Sequence, residues 1–189
     1  IISVISSTFP ELGCWQFFAQ AIEFEGEDAE DDIEEDEYIF TAGNDPFIRK
    51  WDLASQREIA HYQCHKTECT TLICFYEFLI STGKDKRIVK FNIDKEKIER
   101  VYKSKENISS IRILENHDDR DASKFLISTQ TGYLELLDFD LELITSLSSP
   151  SNEKIVSLIN HSQSEFLSFT KDGQITVYDQ ETLSVIKEQ

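Results

Sequence analysis

A segment rich in histidine and cysteine is the first place in this chain where side chains could bind a metal. Five such residues lie close together, namely His61, Cys64, His65, Cys69 and Cys74. Zinc is usually held by four thiolate or imidazole ligands, often as two closely spaced pairs. Cys64 and Cys69 form one loosely spaced pair, and no second pair follows at a suitable distance. The spacing therefore favours structural packing of these residues, and no metal or other cofactor is predicted.

Nucleophilic catalysis would need a serine, cysteine or threonine beside a histidine base. The sequence contains no Gly-x-Ser-x-Gly, His-Glu-x-x-His or Gly-x-x-x-x-Gly-Lys segment, which are motifs of hydrolases, zinc proteases and phosphate loops. The four histidines have no recurring serine or aspartate companion, and His117 lies in a polar loop over 115–121. No catalytic residue and no small-molecule substrate are predicted.

The negative charge of the chain is concentrated in one segment. The net charge is −17, and ten of the thirteen residues from Glu25 to Glu37 are aspartate or glutamate. Such a run repels itself and disfavours ordered structure. We call it the acidic tract, and two interpretations remain open: a docking tract for a basic partner protein, or a solubilising loop. The residues that would dock are Glu27, Asp28, Glu30, Asp31, Asp32, Glu34, Glu35 and Asp36.

The overall charge also bears on other partners. A net charge of −17 disfavours direct binding of nucleic acid by the body of the domain. No stretch approaches the roughly 18 apolar residues of a membrane span. The four cysteines show no extracellular framework spacing, which favours free thiols in a reducing compartment. The charge and the lack of a long apolar stretch therefore predict neither a membrane nor direct nucleic-acid binding.

One sequence pattern recurs four times along the chain. Its apolar or aromatic end recurs at Trp51, Phe91, Leu137 and Tyr178, which are 40, 46 and 41 residues apart. In three copies an aspartate lies six residues before that position, and a serine or threonine lies ten residues before it. These pairs are Thr41 with Asp45, Ser81 with Asp85, and Ser168 with Asp172. A period of this length is typical of a repeat architecture.

Each repeat contains four short runs of β-branched and aromatic residues separated by turn residues, which predicts four strands. In the second repeat these are Thr70–Phe75, Phe78–Thr82, Ile88–Ile93 and Lys97–Tyr102. In the third they are Ile108–Leu114, Lys124–Thr129, Tyr133–Phe139 and Glu142–Leu147. In the fourth they are Lys154–Ile159, Glu165–Thr170, Gln174–Tyr178 and Thr182–Ile186. No window carries a helical stripe, so the predicted class is all-β.

These repeats resemble the WD-repeat family, which forms β-propellers from blades of four antiparallel strands. In that family a hydrogen-bonded set joins a histidine before the first strand, a serine or threonine on the second, an aspartate in the following turn and a tryptophan on the third. The resemblance implies such structural sets at Thr41, Asp45 and Trp51, at His65, Ser81 and Asp85, and at Ser168 and Asp172.

The match to the WD pattern is degenerate. Phe91 and Tyr178 stand where the tryptophan belongs, and the third repeat has Thr131 and Gly132 in place of the aspartate. The first and fourth repeats lack the histidine, and only Trp51 with Asp52 gives the literal dipeptide. The four-stranded blade is therefore the firmer implication of the resemblance.

The resemblance divides the chain into about four blades, which we expect to be part of a larger propeller. The expected blades are residues 15–63, which include the acidic tract, then 64–104, 105–149 and 150–189. Residues 1–14 are predicted to hold a strand of a preceding blade and a linker. We expect either a stretch of a longer chain or a propeller that a partner's strands complete.

Basic residues and one phenylalanine are predicted in the turns between second and third strands. They are Phe47, Arg49, Lys84, Lys86 and Arg87. Loops on one face of a propeller converge, and exposed aromatic residues favour interfaces. Three interpretations remain open: a partner-binding patch, contacts with the chain's own acidic tract, or ordinary exposed turn residues. For Phe47, packing on the neighbouring blade is a further alternative.

The resemblance implies a non-catalytic scaffold that mediates protein–protein interaction within a larger intracellular assembly. One alternative is a chaperone-like, chromatin or ribosome-assembly module that binds basic proteins through the acidic tract. Another is the regulatory domain of an enzyme whose catalytic part lies outside this chain.

Overall fold

The structure is a computed structural model that describes residues 5–8, 16–22, 38–116, 118–149, 153–162 and 164–188. These residues form antiparallel sheets and a single 3₁₀ turn at Arg120–Ala122. By compactness the chain divides into unit 1, Ile1–Glu99, and unit 2, Arg100–Gln189. No helix among the described residues has the length and apolar character needed to cross a bilayer. The predicted all-β class is confirmed.

Two sheets come from the first half of the chain, and in each the strand order follows the chain order. Sheet I contains β1 (Ile5–Thr8), β2 (Gln16–Ile22), β3 (Tyr38–Ala42), β4 (Phe47–Asp52) and β5 (Arg57–Gln63). Sheet II contains β6 (Cys69–Phe75), β7 (Phe78–Gly83), β8 (Arg87–Asn92) and β9 (Lys97–Lys103), which runs across the division between the units.

The second half forms two further four-stranded sheets with the same simple order. Sheet III contains β10 (Ile108–Leu114), β11 (Lys124–Thr129), β12 (Tyr133–Leu137) and β13 (Leu143–Ser148). Sheet IV contains β14 (Ile155–Asn160), β15 (Glu165–Thr170), β16 (Ile175–Asp179) and β17 (Val185–Glu188).

The first strand of sheet I, β1, pairs differently from the prediction made for residues 1–14. A strand within residues 1–14 was predicted to belong to a preceding blade. The structure pairs β1 with β2, with Ser6 opposite Phe18, so β1 lies in the sheet of the first repeat. The boundaries assigned to the blades otherwise stay a prediction.

The connection between the last two strands is built alike in each of the four sheets. The residue that follows the apolar or aromatic position accepts main-chain N–H groups of the turn through its side chain. The accepting residues are Asp52, Asn92, Asp138 and Asp179. Short side chains of this type commonly stabilise turns in this way. The second letter of the recurring dipeptide is therefore a turn-forming residue.

These turns also explain where the predicted strands ended too late or began too early. The predicted strands 88–93 and 133–139 stop at Asn92 and Leu137, because Asn92 and Asp138 already bind the turn. The last strand starts at Val185 and not at Thr182, because both the N–H and the hydroxyl of Thr182 donate to Asp179. Side-chain hydrogen bonding, not β-propensity, sets these boundaries.

Each of these turns also contains one residue other than glycine in the left-handed region. The four are Gln56, Glu96, Leu141 and Leu183, with φ between 49° and 62°. This conformation is unfavourable for residues with a Cβ. The surrounding hydrogen bonds must therefore hold it in place.

Sheets I and II share an apolar core within unit 1. Tyr62 of β5 packs on Phe91 of β8, with ring centroids 4.6 Å apart, and the Tyr62 hydroxyl donates to Glu96 at 2.8 Å. The buried members of this core are Phe40, Ala42, Ile48, Cys64, Cys69, Leu72, Leu79, Val89, Phe91 and Ile93. Each large side chain buried in this way stabilises the fold by about 1.5–3 kcal/mol.

Sheets III and IV share a second core within unit 2. Phe166 and Tyr178 stack with centroids 4.9 Å apart and rings nearly parallel. A polar contact also joins the sheets, since Arg112 Nε on β10 donates to the carbonyl of Leu158 on β14 at 2.7 Å. Strands β15 and β16 of sheet IV alternate in burial, with Phe166, Ser168 and Thr170 of β15 inside, as expected for a sheet packed on one face.

A substitution in the third turn tests the role of the accepting side chain. Asp138 Oδ1 accepts the N–H groups of Asp140 at 2.9 Å and Glu142 at 2.8 Å. We expect Asp138→Ala to lower the free energy of unfolding by about 1–3 kcal/mol, the range for hydrogen bonds to a charged group, measured by urea denaturation. Asp140→Ala, at an exposed residue of the same turn, is the control and should change stability by less than about 0.5 kcal/mol. Equal losses would contradict this role of Asp138.

Candidate functional site

Three loops of unit 1 meet at one end of sheets I and II. They are the β3–β4 turn, the β5–β6 connection and the β7–β8 turn. Main-chain hydrogen bonds join them: Cys69 N–H donates to Gly43 at 2.9 Å, His65 N–H to Pro46 at 3.2 Å, and Lys84 N–H to Glu68 at 3.0 Å. We call this surface, residues 43–47, 64–68 and 83–87, the turn face. Its backbone is fixed, as a rigid binding surface requires.

A buried polar set lies beneath the turn face. His65 Nε2 is 2.8 Å from the Ser81 hydroxyl, and His65 Nδ1 is 3.1 Å from Asp85 Oδ1. Asp85 also accepts the N–H of Lys66 at 2.9 Å and the N–H of Arg87 at 3.2 Å. The structure thus brings together the three residues that the sequence assigned to the second blade, and Asp85 ties two loops of the turn face to each other.

The protonation of His65 follows from its surroundings. Burial lowers the pKa of His65, and the neighbouring Asp85 only partly opposes this effect. Burial alone would raise the pKa of Asp85, but the hydrogen bonds from Lys66 and His65 hold it below its usual value. A carboxylate only accepts, so neutral His65 donates through Nδ1 and accepts the Ser81 hydroxyl proton at Nε2.

The same three residue types form the catalytic triad of serine hydrolases. Here, however, Ser81 is completely buried and His65 is 2% exposed. A nucleophile must reach a substrate carbonyl, and a hydroxyl without solvent access cannot. The arrangement therefore satisfies buried polar groups, and the geometry offers no site for acyl transfer at Ser81.

Position 83 requires glycine because His65 and Asp85 lie too close to it for a Cβ to fit. A Cβ on Gly83 would lie 2.5 Å from His65 Nδ1 and 2.8 Å from Asp85 Oδ1. Contacts this short do not occur, so any other residue would displace the histidine or the aspartate.

Sheet I contains the threonine, aspartate and tryptophan of the polar set that the resemblance to WD repeats implies. Trp51 Nε1 donates to the Thr41 hydroxyl at 2.8 Å, and Asp45 Oδ1 accepts the N–H of Phe47 at 3.1 Å. The hydrogen bond from Arg49 holds the pKa of Asp45 below its usual value. Thr41, Asp45 and Trp51 therefore form the hydrogen bonds of sheet I around the β3–β4 turn without a histidine.

Sheet IV leaves its polar set incomplete. The hydroxyls of Ser168 and Thr176 lie close to the Tyr178 hydroxyl but without hydrogen-bond geometry. Asp172 accepts a hydrogen bond from Thr170, not from a histidine or Ser168. The structure thus does not join Ser168 to Asp172.

The basic residues predicted for a binding patch are engaged with carboxylates of their own unit. Arg49 binds Asp45 and lies 3.4 Å from Glu58. Lys84 pairs with Glu68, and Arg87 Nε lies 3.9 Å from Asp85. Arg49 is on β4, not in the turn. Lys86 is in the turn with a φ of 64°.

Phe47 packs within its own sheet. It is the first residue of β4 and meets His61 of β5 edge-on, with centroids 5.4 Å apart. The Arg49 guanidinium lies 5.8 Å from its ring centroid. Phe47 is half-buried, so it combines partial access with a fixed position. These contacts of Phe47 thus lie within sheet I, and its part in a partner-binding patch stays a prediction.

The acidic tract lies outside the described residues. Its residues Glu27, Asp28, Glu30, Asp31, Asp32, Glu34, Glu35 and Asp36 therefore have no structural account. Its role as a docking tract stays a prediction.

The cysteines that suggested a metal are packed as apolar groups. Cys64 and Cys69 are buried free thiols, and Cys74 is a free thiol at intermediate exposure. Burial raises the pKa of all three to about 12, so thiolates are scarce at neutral pH. Among the described residues, no three histidine, cysteine or acidic side chains are grouped as a metal would need.

A cleft in unit 2 was not predicted from the sequence. It lies between the β10–β11 connection, the β14–β15 connection and the β16–β17 turn, and it encloses about 790 Å³. In the sequence, the acidic residues around position 118 are the one feature that indicates this cleft, and they belong to the polar loop over 115–121. Their convergence with Asp179 and Glu181 depends on the packing of two sheets.

No protein-family model and no curated protein matches the chain. Among solved structures, the WD40 β-propeller domain of Doa1 is similar to it, with 17% sequence identity and a TM-score of 0.66. The similar region covers 80% of this chain and 50% of that structure, so the chain spans half of its length. The four sheets thus have the fold of about four WD40 β-propeller blades. The predicted resemblance and fold class are confirmed as a likeness of fold.

A substitution of Gly83 tests the buried set directly. We expect Gly83→Ala to separate His65 from Asp85 and to lower the free energy of unfolding by about 1–3 kcal/mol, as overpacking does. The slowly exchanging Nδ1 proton of His65, followed by ¹H–¹⁵N NMR, should disappear. Gly173→Ala is the control: its φ of 91° makes a Cβ unfavourable there as well, but that Cβ meets nothing within 4 Å, so stability should fall while the His65 signal persists. A His65 signal that survives Gly83→Ala would show that the close approach is wrong.

Proposed function

We propose that this chain is a non-catalytic WD-repeat scaffold that mediates protein–protein interaction within a larger intracellular assembly, nuclear or cytoplasmic. The WD40 β-propeller fold generally serves this purpose. Buried thiols with raised pKa values are compatible with a reducing compartment. The partners are other proteins, and the proposal includes no cofactor, small-molecule substrate or direct nucleic-acid contact.

The turn face is the observation that carries this proposal. Its three loops are cross-linked by main-chain hydrogen bonds and held from below by His65 and Asp85. A surface that is already ordered loses little conformational entropy when a partner binds. Its charged side chains are of both signs and include Lys66, Lys84 and Lys86 as well as Asp45 and Glu68. This pattern suits a partner of complementary mixed charge.

Absence of catalysis is part of the proposal for a physical reason. The single Ser–His–Asp arrangement found among the described residues is sealed from solvent at Ser81. The cysteines offer few thiolates. Neither group can attack a substrate, which leaves surface recognition as the use the geometry supports best.

A pair of matched charge reversals tests the turn face. Lys84 is on it and pairs with Glu68; Lys95 lies in the β8–β9 turn and pairs with Glu99. The two lysines are similarly exposed, at 65% and 60%. We expect Lys84→Glu with Lys86→Glu to reduce partner capture by about tenfold, or about 1.4 kcal/mol. The control, Lys95→Glu with Lys97→Glu, changes the charge equally and should preserve capture.

The measurement is a pull-down from native extract with quantitative mass spectrometry of the captured proteins. Partners that are retained equally by both double variants would contradict the turn face as the binding surface. Unfolding midpoints of the variants must agree with wild type, since a folding defect would remove partners from either variant.

The acidic tract supports a second candidate function, binding of basic proteins during chromatin or ribosome assembly. Ten acidic residues in thirteen attract Lys- and Arg-rich surfaces, and salt screens exposed charges. We expect binding to immobilised core histones to fall steeply between about 50 and about 300 mM salt. It should be lost when residues 25–37 are replaced by a Gly–Ser linker of equal length. Salt-insensitive binding by the linker variant would remove this candidate.

A further inference from the structure

We propose that the cleft of unit 2 binds a lysine- or arginine-bearing segment of a partner protein. Its residues differ from those of the turn face and of the acidic tract, so the inference goes beyond the proposed function. The cleft volume of about 790 Å³ falls within the usual range for ligand sites, about 300–1,000 Å³. It can therefore hold a short stretch of peptide.

The charge of the lining selects a cation. Glu115, Asp118, Asp179 and Glu181 contribute carboxylates, against the single ammonium of Lys124 in the lining. Hydrogen bonds from Thr182 hold the pKa of Asp179 below its usual value, so that carboxylate stays ionised. In the described part of the chain, neither Asp118 nor Glu181 forms a salt bridge. Among the described residues, Asp118 and Glu181 thus bring to the cleft two negative charges that no salt bridge balances.

Apolar side chains contribute to the same cleft. Ile113, Leu114 and Ala122 line it beside the carboxylates, and Leu114 is itself part of the core of unit 2. Lysine and arginine have an aliphatic stem that packs on apolar surface while the charged end reaches polar groups. A lining with both characters fits a long basic side chain better than a small inorganic cation.

A divalent metal fits the cleft poorly. Calcium requires six to eight oxygen ligands at 2.3–2.6 Å. Among the residues that the structure describes, no three acidic, histidine or cysteine side chains come together closely enough to hold an ion. The carboxylates are spread along the cleft, which suits an ammonium or guanidinium on a flexible stem.

The walls of the cleft are held in place before any ligand binds. Asn160 Nδ2 donates to the carbonyl of Ile113 at 3.3 Å and so joins two walls. Gln180 Nε2 donates to the carbonyl of Ser162 at 3.1 Å and joins the β16–β17 turn to the β14–β15 connection. Asn116 Oδ1 accepts the N–H of Asp118 at 2.9 Å. Ordered walls reduce the entropy lost on binding.

The test uses fluorescence anisotropy with a labelled eight-residue peptide of alternating lysine and serine. The full chain is used with the acidic tract replaced by the Gly–Ser linker, so that the tract does not bind the probe. At about 150 mM salt we expect saturable binding, at least about tenfold weaker in Asp118→Asn with Glu181→Gln. A second variant, Glu181→Lys, changes one exposed residue and should also weaken binding.

The matched control is Glu142→Gln with Glu188→Gln, which removes the same charge from exposed residues outside the cleft. It should bind within about twofold of the unaltered background, and a glutamate–serine peptide should not bind. Equal weakening by the cleft and control variants would overturn the proposal, because it would mean general charge attraction. Absence of saturable binding of the lysine peptide would overturn it too. Either failure leaves the turn-face test unaffected, since that test uses different residues and partners.

Discussion

Polar atoms that become buried where β-sheets pack must find partners inside the protein, and this constraint shapes the whole molecule. Sheet II meets it with His65, which accepts from Ser81 and donates to Asp85. Sheet I satisfies this constraint with the hydrogen bond from Trp51 to Thr41. Sheet IV satisfies this constraint only in part. Its Phe166 and Tyr178 rings stack and contribute apolar contact instead. Sheets I, II and IV each keep a different part of the set of histidine, serine or threonine, aspartate and tryptophan. This difference corresponds to the degenerate sequences of their repeats.

Much of the fold could be predicted from the sequence because its signal is local. The recurrence of Trp51, Phe91, Leu137 and Tyr178 at intervals of 40, 46 and 41 residues reflects the length of one blade. Short β-branched runs between turn residues predict strands without knowledge of packing. Strand ends were less predictable, since Asn92 and Asp138 stop their strands through side-chain bonds to the turn. β1 was assigned to another blade because nothing in its composition indicates which strand it pairs with.

The sites depended more on three-dimensional packing. The sequence could place His65, Ser81 and Asp85 in one set, because their order along a blade is fixed by topology. It could not show that Lys84 and Arg87 would meet Glu68 and Asp85, which leaves the turn face mixed in sign and not basic. The cleft of unit 2 was invisible for the same reason, since loops from two sheets form it. The recognition that we propose for this protein thus depends on loops that different sheets bring together.

The left-handed residues in the turns between the last two strands of each sheet have different relations to the cores. Leu141 and Leu183 are buried at 5% and 3% exposure, so in unit 2 the strained conformation directs an apolar side chain inward. Gln56 and Glu96 adopt the same φ while exposed to solvent. Natural variation should therefore be unequal at these equivalent sites. Gln56 can be replaced by glycine or asparagine, whereas Glu96 is constrained by the hydrogen bond that it accepts from the Tyr62 hydroxyl. The unit 2 turns are confined to residues that fill the same volume.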